Sequence, residues 1–216
     1  MTKESKKTLI LTSAICLIPI AAGIILYPEL PERIVTHWDI NGNPDGWSSR
    51  FFGVIGLPAL LLAVNLLCPF LVNMDPKNKN MSEKAKGLIQ WIIPMIALFA
   101  GGTTLMAAAG IDLNINRIAP VFMGVMFTII GNYLPKMSQS YTVGIKLPWT
   151  LDDEENWDRT HRFAGLLWVI CGLLLIACSF IKRGSAIFFI ILAVMVFLPA
   201  IYSYAFYLKK KKHSEQ

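Results

Sequence analysis

Six stretches of this sequence contain no aspartate, glutamate, lysine, arginine or histidine: residues 8–27, 51–72, 88–109, 118–134, 163–181 and 185–208. Charge is scarce in the whole chain, at 16%, whereas apolar residues reach 55% and the mean hydropathy is positive. This is more apolar surface than the core of a soluble domain needs, so the excess faces lipid and a soluble fold is excluded. Each run is near the roughly 17–25 residues that a tilted helix needs to cross hydrocarbon. The expected fold class is therefore all-α integral membrane, with six transmembrane helices. Cysteine is scarce too. Cys16, Cys68, Cys171 and Cys178 all fall inside the runs, so no disulfide framework is implied and packing accounts for them.

The first run has a basic front like a signal peptide, but it is too long and lacks a small-residue cleavage site before Tyr27-Pro28, so it is expected to stay as a helix. Orientation follows from the basic residues, which resist translocation. One side collects Lys3, Lys6 and Lys7, then Lys77, Lys79, Lys84 and Lys86, then Lys136, Lys146, Arg159 and Arg162, and finally Lys209 to Lys212. The other receives only Arg33, Arg50, Arg117, Lys182 and Arg183. Both termini are thus expected in the cytoplasm. The formal charge of +6 follows this distribution and forms no groove-sized patch with interleaved aromatics, so membrane lipid is the expected counter-charge and direct nucleic-acid binding is not.

Chemistry at membrane depth is thin. Proton- or ion-coupled transporters keep an ionisable group there, and the six runs have none. Asn65, Thr103, Thr104, Thr128, Asn132 and Ser203 are the main polar groups, and hydrogen bonding between helices is their plain explanation. The histidines His37, His161 and His213 are scattered over outside, inside and tail, so no metalloprotease pair forms. No enzyme, metal site or cofactor is expected.

Two loops are too long and too aromatic for plain connectors. In the outer one, residues 28–50, Ile34 to Trp38 has the β-branched character of a short strand. Asn41-Gly42 suits a tight turn with positive φ, and Asn43-Pro44-Asp45-Gly46 supplies a second turn. A small ordered cap is expected. Asp39, Asn41, Asn43 and Asp45 imitate a calcium loop, but Pro44 stands where glycine is required and Arg50 where the closing glutamate belongs. His37, Trp38 and Trp47 suit either an interfacial aromatic belt or contact with a ligand. In the inner loop, residues 135–162, Tyr141 to Trp149 is expected to be extended with a bend at Gly144. Thr150 is expected to cap a helix starting at Leu151 that carries Trp157 and His161 on one face into the fifth span. A stable surface helix and a docking surface both fit that pattern.

At these loops the sequence resembles the SdpI family of bacterial membrane proteins, which give immunity against a secreted killing toxin. Leu30-Pro31, His37-Trp38, Asn41-Gly42 and Asp45-Gly46-Trp47 resemble the family's amino-terminal domain of unknown function, DUF1648. Gly131 to Lys136, Tyr141 to Lys146, Pro148 to Leu151 and Trp157 to Gly165 resemble its carboxy-terminal signature. The resemblance divides the chain into a DUF1648-like region (1–73), a third span with its flanks (74–117) and an SdpI-like region (118–216). It implies a non-catalytic immunity protein and signal receptor of the bacterial cytoplasmic membrane. The partners it implies are a secreted antimicrobial peptide outside and an ArsR-type repressor inside. On that reading His37, Trp38, Asp39, Asn41, Gly42, Asp45 and Trp47 are the toxin-binding candidates. Tyr141, Gly144, Pro148, Trp149, Thr150, Trp157, His161 and Arg162 are the candidates for docking the cytosolic partner. A small-molecule or peptide permease is the alternative, and a membrane enzyme built on Asp158, Arg159 and His161 a third reading.

The expected topology is testable by single-cysteine labelling from outside the cell, which should reach a probe at Asn43 but not at Asn78 or Ser214. The reverse pattern would falsify the orientation.

Overall fold

The computed structural model describes residues 2–77, 81–181 and 184–214. Asn78, Lys79, Lys182 and Arg183, which enter the topology argument, lie outside the described residues. Six helices are long and apolar enough to cross a membrane, so the fold is that of an all-α multi-pass membrane protein. In chain order the elements are α1 (Lys3–Leu26), β1 (Arg33–Trp38), β2 (Pro44–Ser49), a π turn (Phe52–Gly56) leading into α2 (Leu57–Met74), α3 (Glu83–Ala108), α4 (Ile115–Tyr133), a 3-10 turn (Leu134–Lys136), α5 (Pro148–Asp152), α6 (Glu154–Cys178) and α7 (Gly184–Ser214). Several helices run past the apolar stretches into charged flanks, because a helix need not end where hydrocarbon does. Two compact units interleave in sequence: Met1–Leu71 with Lys86–Ala119, and Val72–Ala85 with Pro120–Gln216.

In the first unit Thr2 caps α1 by accepting from the Ser5 N–H (3.1 Å). Leu30, Ile34, Val54 and Leu105 form a core at the foot of the hairpin. Pro58 lacks the N–H that an α-helix would direct at Val54, and the preceding turn is widened to π geometry. Close packing needs small residues here: a Cβ on Gly23 would lie 2.5 Å from Val54, and one on Gly101 2.5 Å from Pro19. Polar groups are spent between helices, with Asn65 Nδ2 donating to Ser13 Oγ (3.1 Å) and Thr12 Oγ1 (3.3 Å), and Gln90 Nε2 to Ser5 Oγ (3.0 Å). Thr103 departs from the expected inter-helix bonding, as Thr128 does in the second unit; each donates to its own helix, at the carbonyls of Phe99 and Gly124.

The second unit is organised by glycines. Gly124 and Gly131 on α4 meet Gly172 and Gly165 on α6, and the contacts are reciprocal. A Cβ on Gly124 would sit 2.5 Å from the Gly172 carbonyl and one on Gly172 2.6 Å from the Gly124 carbonyl. At the other pair the distances are 2.8 and 2.7 Å. Both pairs are seven residues apart, two helical turns, so two antiparallel helices touch backbone to backbone. On the other side of α6, Cys171 and Leu175 pack on Ile191 and Met195 of α7, and Trp168 Nε1 donates to the Met195 carbonyl (3.0 Å). All four cysteines are free.

Gly131→Leu should therefore separate α4 from α6 and sharply reduce the folded protein recovered from membranes. Gly87→Ala, where an added Cβ meets nothing within 4 Å, should be neutral or stabilise α3 by roughly 0.5–1 kcal/mol. Equal recovery of the two variants on size-exclusion chromatography in detergent would refute the seam.

Candidate functional site

The expected cap is a two-stranded antiparallel hairpin. Arg33 pairs with Ser49, Ile34 with Ser48 and Val35 with Trp47; the register slips once before His37 meets Gly46 and again before Trp38 meets Pro44. Residues 44–46 are thus part of the second strand, correcting the second turn expected there; two bulges absorb the extra residues. The first turn is as expected. Gly42 has φ +78°, and its N–H donates to the Asp39 carbonyl (2.9 Å). Asp39 Oδ1 accepts the N–H groups of Asn41 and Asn43 (2.8 Å each), and Oδ2 accepts Asn43 Nδ2 (3.2 Å). The Asn43 backbone bond foremost holds the Asp39 carboxyl below its usual range. This carboxylate builds the tip.

His37 Nδ1 donates to Asp45 Oδ1 at 2.6 Å across the bulge, and the imidazole side chain is 72% exposed. Asn116, at the start of α4, donates through Nδ2 to the Asn41 carbonyl, and a Cβ on Gly42 would lie within 3.0 Å of its amide atoms. At the base, Arg50 donates to the carbonyls of Tyr27 (2.8 Å) and Leu30 (2.9 Å) and lies over the Tyr27 ring. The hairpin brings the seven outer candidates onto one small element. His37, Asn41, Asp45 and Trp47 are exposed, the last by 49%, whereas Trp38, Asp39 and Gly42 are half-buried. Asn116 and Arg50 were not among them, because their partners are far away in sequence.

In the second unit the loop following α4 has no strand; it folds as a compact polar knot, and its centre is a residue the sequence reading passed over. Asp75, just after α2, is buried, and its Oδ2 accepts four donors: Ser140 Oγ (2.6 Å), Tyr141 N (2.7 Å), Thr142 N (2.9 Å) and Thr142 Oγ1 (3.0 Å). Oδ1 accepts the Lys77 N–H (3.0 Å). Burial alone would raise its pKa, but the bonds from Ser140, Lys77 and Thr142 outweigh burial and hold it below the ordinary aspartate value. Lys77 Nζ donates to Gln139 Oε1 (3.2 Å) and to the Leu151 carbonyl, and Gln139 Nε2 donates to the carbonyls of Thr150 (2.8 Å) and Leu151 (2.9 Å).

A second anchor lies on α6. Trp157 is 0% and His161 1% exposed, and their rings stack at 3.9 Å. Trp157 Nε1 donates to the Met137 carbonyl (2.9 Å). His161 Nε2 accepts the Ile145 N–H (3.0 Å) while Nδ1 donates to the Trp157 carbonyl (2.8 Å), an arrangement that requires the neutral ring. Gly144, at φ +120°, lies over both rings. The third anchor joins α5, α6 and α7: Trp149 Nε1 donates to Ser203 Oγ (2.6 Å), Ser203 Oγ to Asn156 Oδ1 (3.0 Å), and Asn156 Nδ2 to the Ser203 carbonyl (3.1 Å). Trp149 also packs on Tyr204 and Tyr207.

The expected helix from Leu151 is corrected: the chain makes a short α5, breaks, and restarts at Glu154 with Asp153 as cap, its Oδ1 accepting the Glu155 N–H (3.1 Å). Thr150 instead holds the inside of the loop, accepting the Leu147 N–H (2.9 Å) and donating to the Ile145 carbonyl (2.8 Å). Of the inner candidates, Tyr141, Pro148 and Arg162 are exposed, Gly144 and Trp149 half-buried, and Thr150, Trp157 and His161 buried. Among the described residues no group of three or more His, Cys, Asp or Glu side chains could hold a metal ion.

Six apolar helices with two folded polar loops define a multi-pass protein of the cytoplasmic membrane. Residues 14–62 match the domain of unknown function DUF1648, and residues 136–203 match the SdpI/YfhL protein family. The chain is 30% identical over 207 residues to the immunity protein SdpI of Bacillus subtilis (strain 168), covering 94% of this chain and 97% of that one. It belongs to the SdpI/YfhL family. No solved structure matches it at a significant level.

Gly144→Ala should destabilise the protein by roughly 2 kcal/mol or more, since positive φ disfavours a side chain and the new Cβ would lie 2.6 Å from Trp157 and 2.7 Å from His161. Lys146→Ala, on the exposed side of the same loop, should leave the thermal unfolding midpoint in detergent within a degree or so of the parent. Tolerance of both would contradict the packed loop.

Proposed function

We propose that this protein is a non-catalytic immunity protein that meets a secreted antimicrobial peptide at its hairpin and presents the 137–153 loop to a cytosolic repressor of ArsR type. The observation that carries the reading is the near full-length similarity to a protein named as an immunity protein. The charge asymmetry puts the hairpin outside and the loop inside.

The physical support is the contrast between the loops. The hairpin spends Asp39, Arg50 and Asn116 on its own shape and leaves His37, Asn41, Asp45 and Trp47 open to a ligand. An exposed indole on the same hairpin as a paired imidazole and carboxylate offers apolar area and hydrogen-bonding groups on one small element, as expected of an interface anchor. The inner loop presents Tyr141, Pro148 and Arg162 outward, while Thr150, Trp157 and His161 support them from beneath. The two aromatic rings then serve docking by positioning the loop.

Expression in a toxin-sensitive host should confer survival. Trp47→Ala and Asp45→Ala, and Trp38→Ala beside them, should weaken protection by about tenfold or more in tolerated toxin concentration, the loss expected from removing an interface anchor. Membrane levels should be unchanged. Parental protection by all three variants would exclude the hairpin, and no protection by the parent would overturn the immunity reading.

A further inference from the structure

The connector after α2 lies outside both matched segments, 14–62 and 136–203, yet it supplies the carboxylate on which the inner loop closes. Without Asp75 the N–H of Tyr141 loses the acceptor it has in this structure, and Ser140 and Thr142 lose the acceptor that draws them together. Lys77 reinforces the closure from the same connector, reaching Gln139 and Leu151 while its ammonium lies 5.0 Å from the centre of the Tyr141 ring. Four donors on one oxygen cannot follow a large displacement of that oxygen singly, so the contact is either made or lost as a group.

We propose that Asp75 is the positioning residue that latches residues 139–142 and thereby holds the loop in the shape it presents. The proposal rests on the reading of this loop as a docking surface.

Ser138 provides the probe, because its hydroxyl is buried and has no hydrogen-bond partner, so Ser138→Cys installs a thiol at little cost. Labelling of purified full-length protein in detergent by a polar maleimide should be slow, read against the parent chain, whose four cysteines set the background. Asp75→Asn should speed labelling by about tenfold or more, as expected when charge-assisted bonds that close a local opening are removed. Asp75→Glu, which keeps the charge, should recover much of the protection, an outcome that a merely space-filling residue would not give. The Ser140→Ala, Thr142→Val double variant removes donors from the opposite side and should also label fast. It decides the matter if Asp75→Asn fails to accumulate.

Co-sedimentation of an ArsR-type repressor with membranes carrying the same variants separates the latch from the docking reading. Fast labelling with lost recruitment supports both. Fast labelling with recruitment intact overturns the docking reading, while the latch stands. Slow labelling of Asp75→Asn and of the double variant, whatever recruitment does, overturns the latch, as does Asp75→Glu labelling as fast as Asp75→Asn.

Discussion

Away from water, each peptide N–H and carbonyl has to find its partner within the chain, and the two kinds of structure here are two answers to that demand. The six long helices satisfy it internally, which is why apolar sequence alone suffices to specify them. The 137–153 loop has no ladder, and much of its backbone is paired one bond at a time with side chains: Asp75 for Tyr141 and Thr142, His161 for Ile145, Trp157 for Met137, Gln139 for Thr150 and Leu151. Much of the family signature is therefore a set of substitutes for water. The charge-assisted bonds to Asp75 contribute about 1.5–3 kcal/mol each and the neutral ones about 0.5–1.5, and an orphaned buried group costs about 1–3 kcal/mol, so each anchor matters beyond its size.

The hairpin solves the problem locally. Its strands pair with each other, its tip closes on Asp39, and its base is held by Arg50, which leaves its polar and aromatic surface uncommitted. The loop has the reverse economy. The rings it closes over, Trp157 and His161 of α6, are inside, and among the candidates only Tyr141 and Pro148, with Arg162 of α6, are left exposed for contact. Recognition at the hairpin is a matter of which side chains face out, whereas recognition at the loop depends on whether the loop holds its shape.

Local chemistry was legible in the sequence and distant pairing was not. The absence of charge marked all six spans, and Ile34 to Trp38 with Asn41-Gly42 marked the first strand and its turn. The second strand was hidden because Pro44 and Gly46 are turn formers, and only a bulged register lets them pair. Trp157 and His161 were rightly placed on one helical face, but spacing does not say whether that face meets solvent or a folded loop. Asp153 displaced Thr150 as the cap because the short α5 claims Thr150 for its own interior. The glycines 124, 131, 165 and 172 show their spacing in the sequence, yet nothing there says which pair meets which. Asp75 gave no local signal of its role, since the donors to its Oδ2 stand 65 to 67 residues away.

That separation governs the order in which the chain can mature. Asp75 leaves the ribosome 65 residues before Ser140, and Asn156 47 residues before Ser203. At about 5–20 residues per second the newborn carboxylate waits several seconds with water as its companion. Because the units are interleaved, the first cannot close until the residues up to Ala119 are made, and by then the opening segment of the second is already waiting. The polar knot can thus be tied only once Leu151 has followed, and the third anchor only after α7 has delivered Ser203; until the first of these, Asp75 and Lys77 stand open to any protease at the membrane surface.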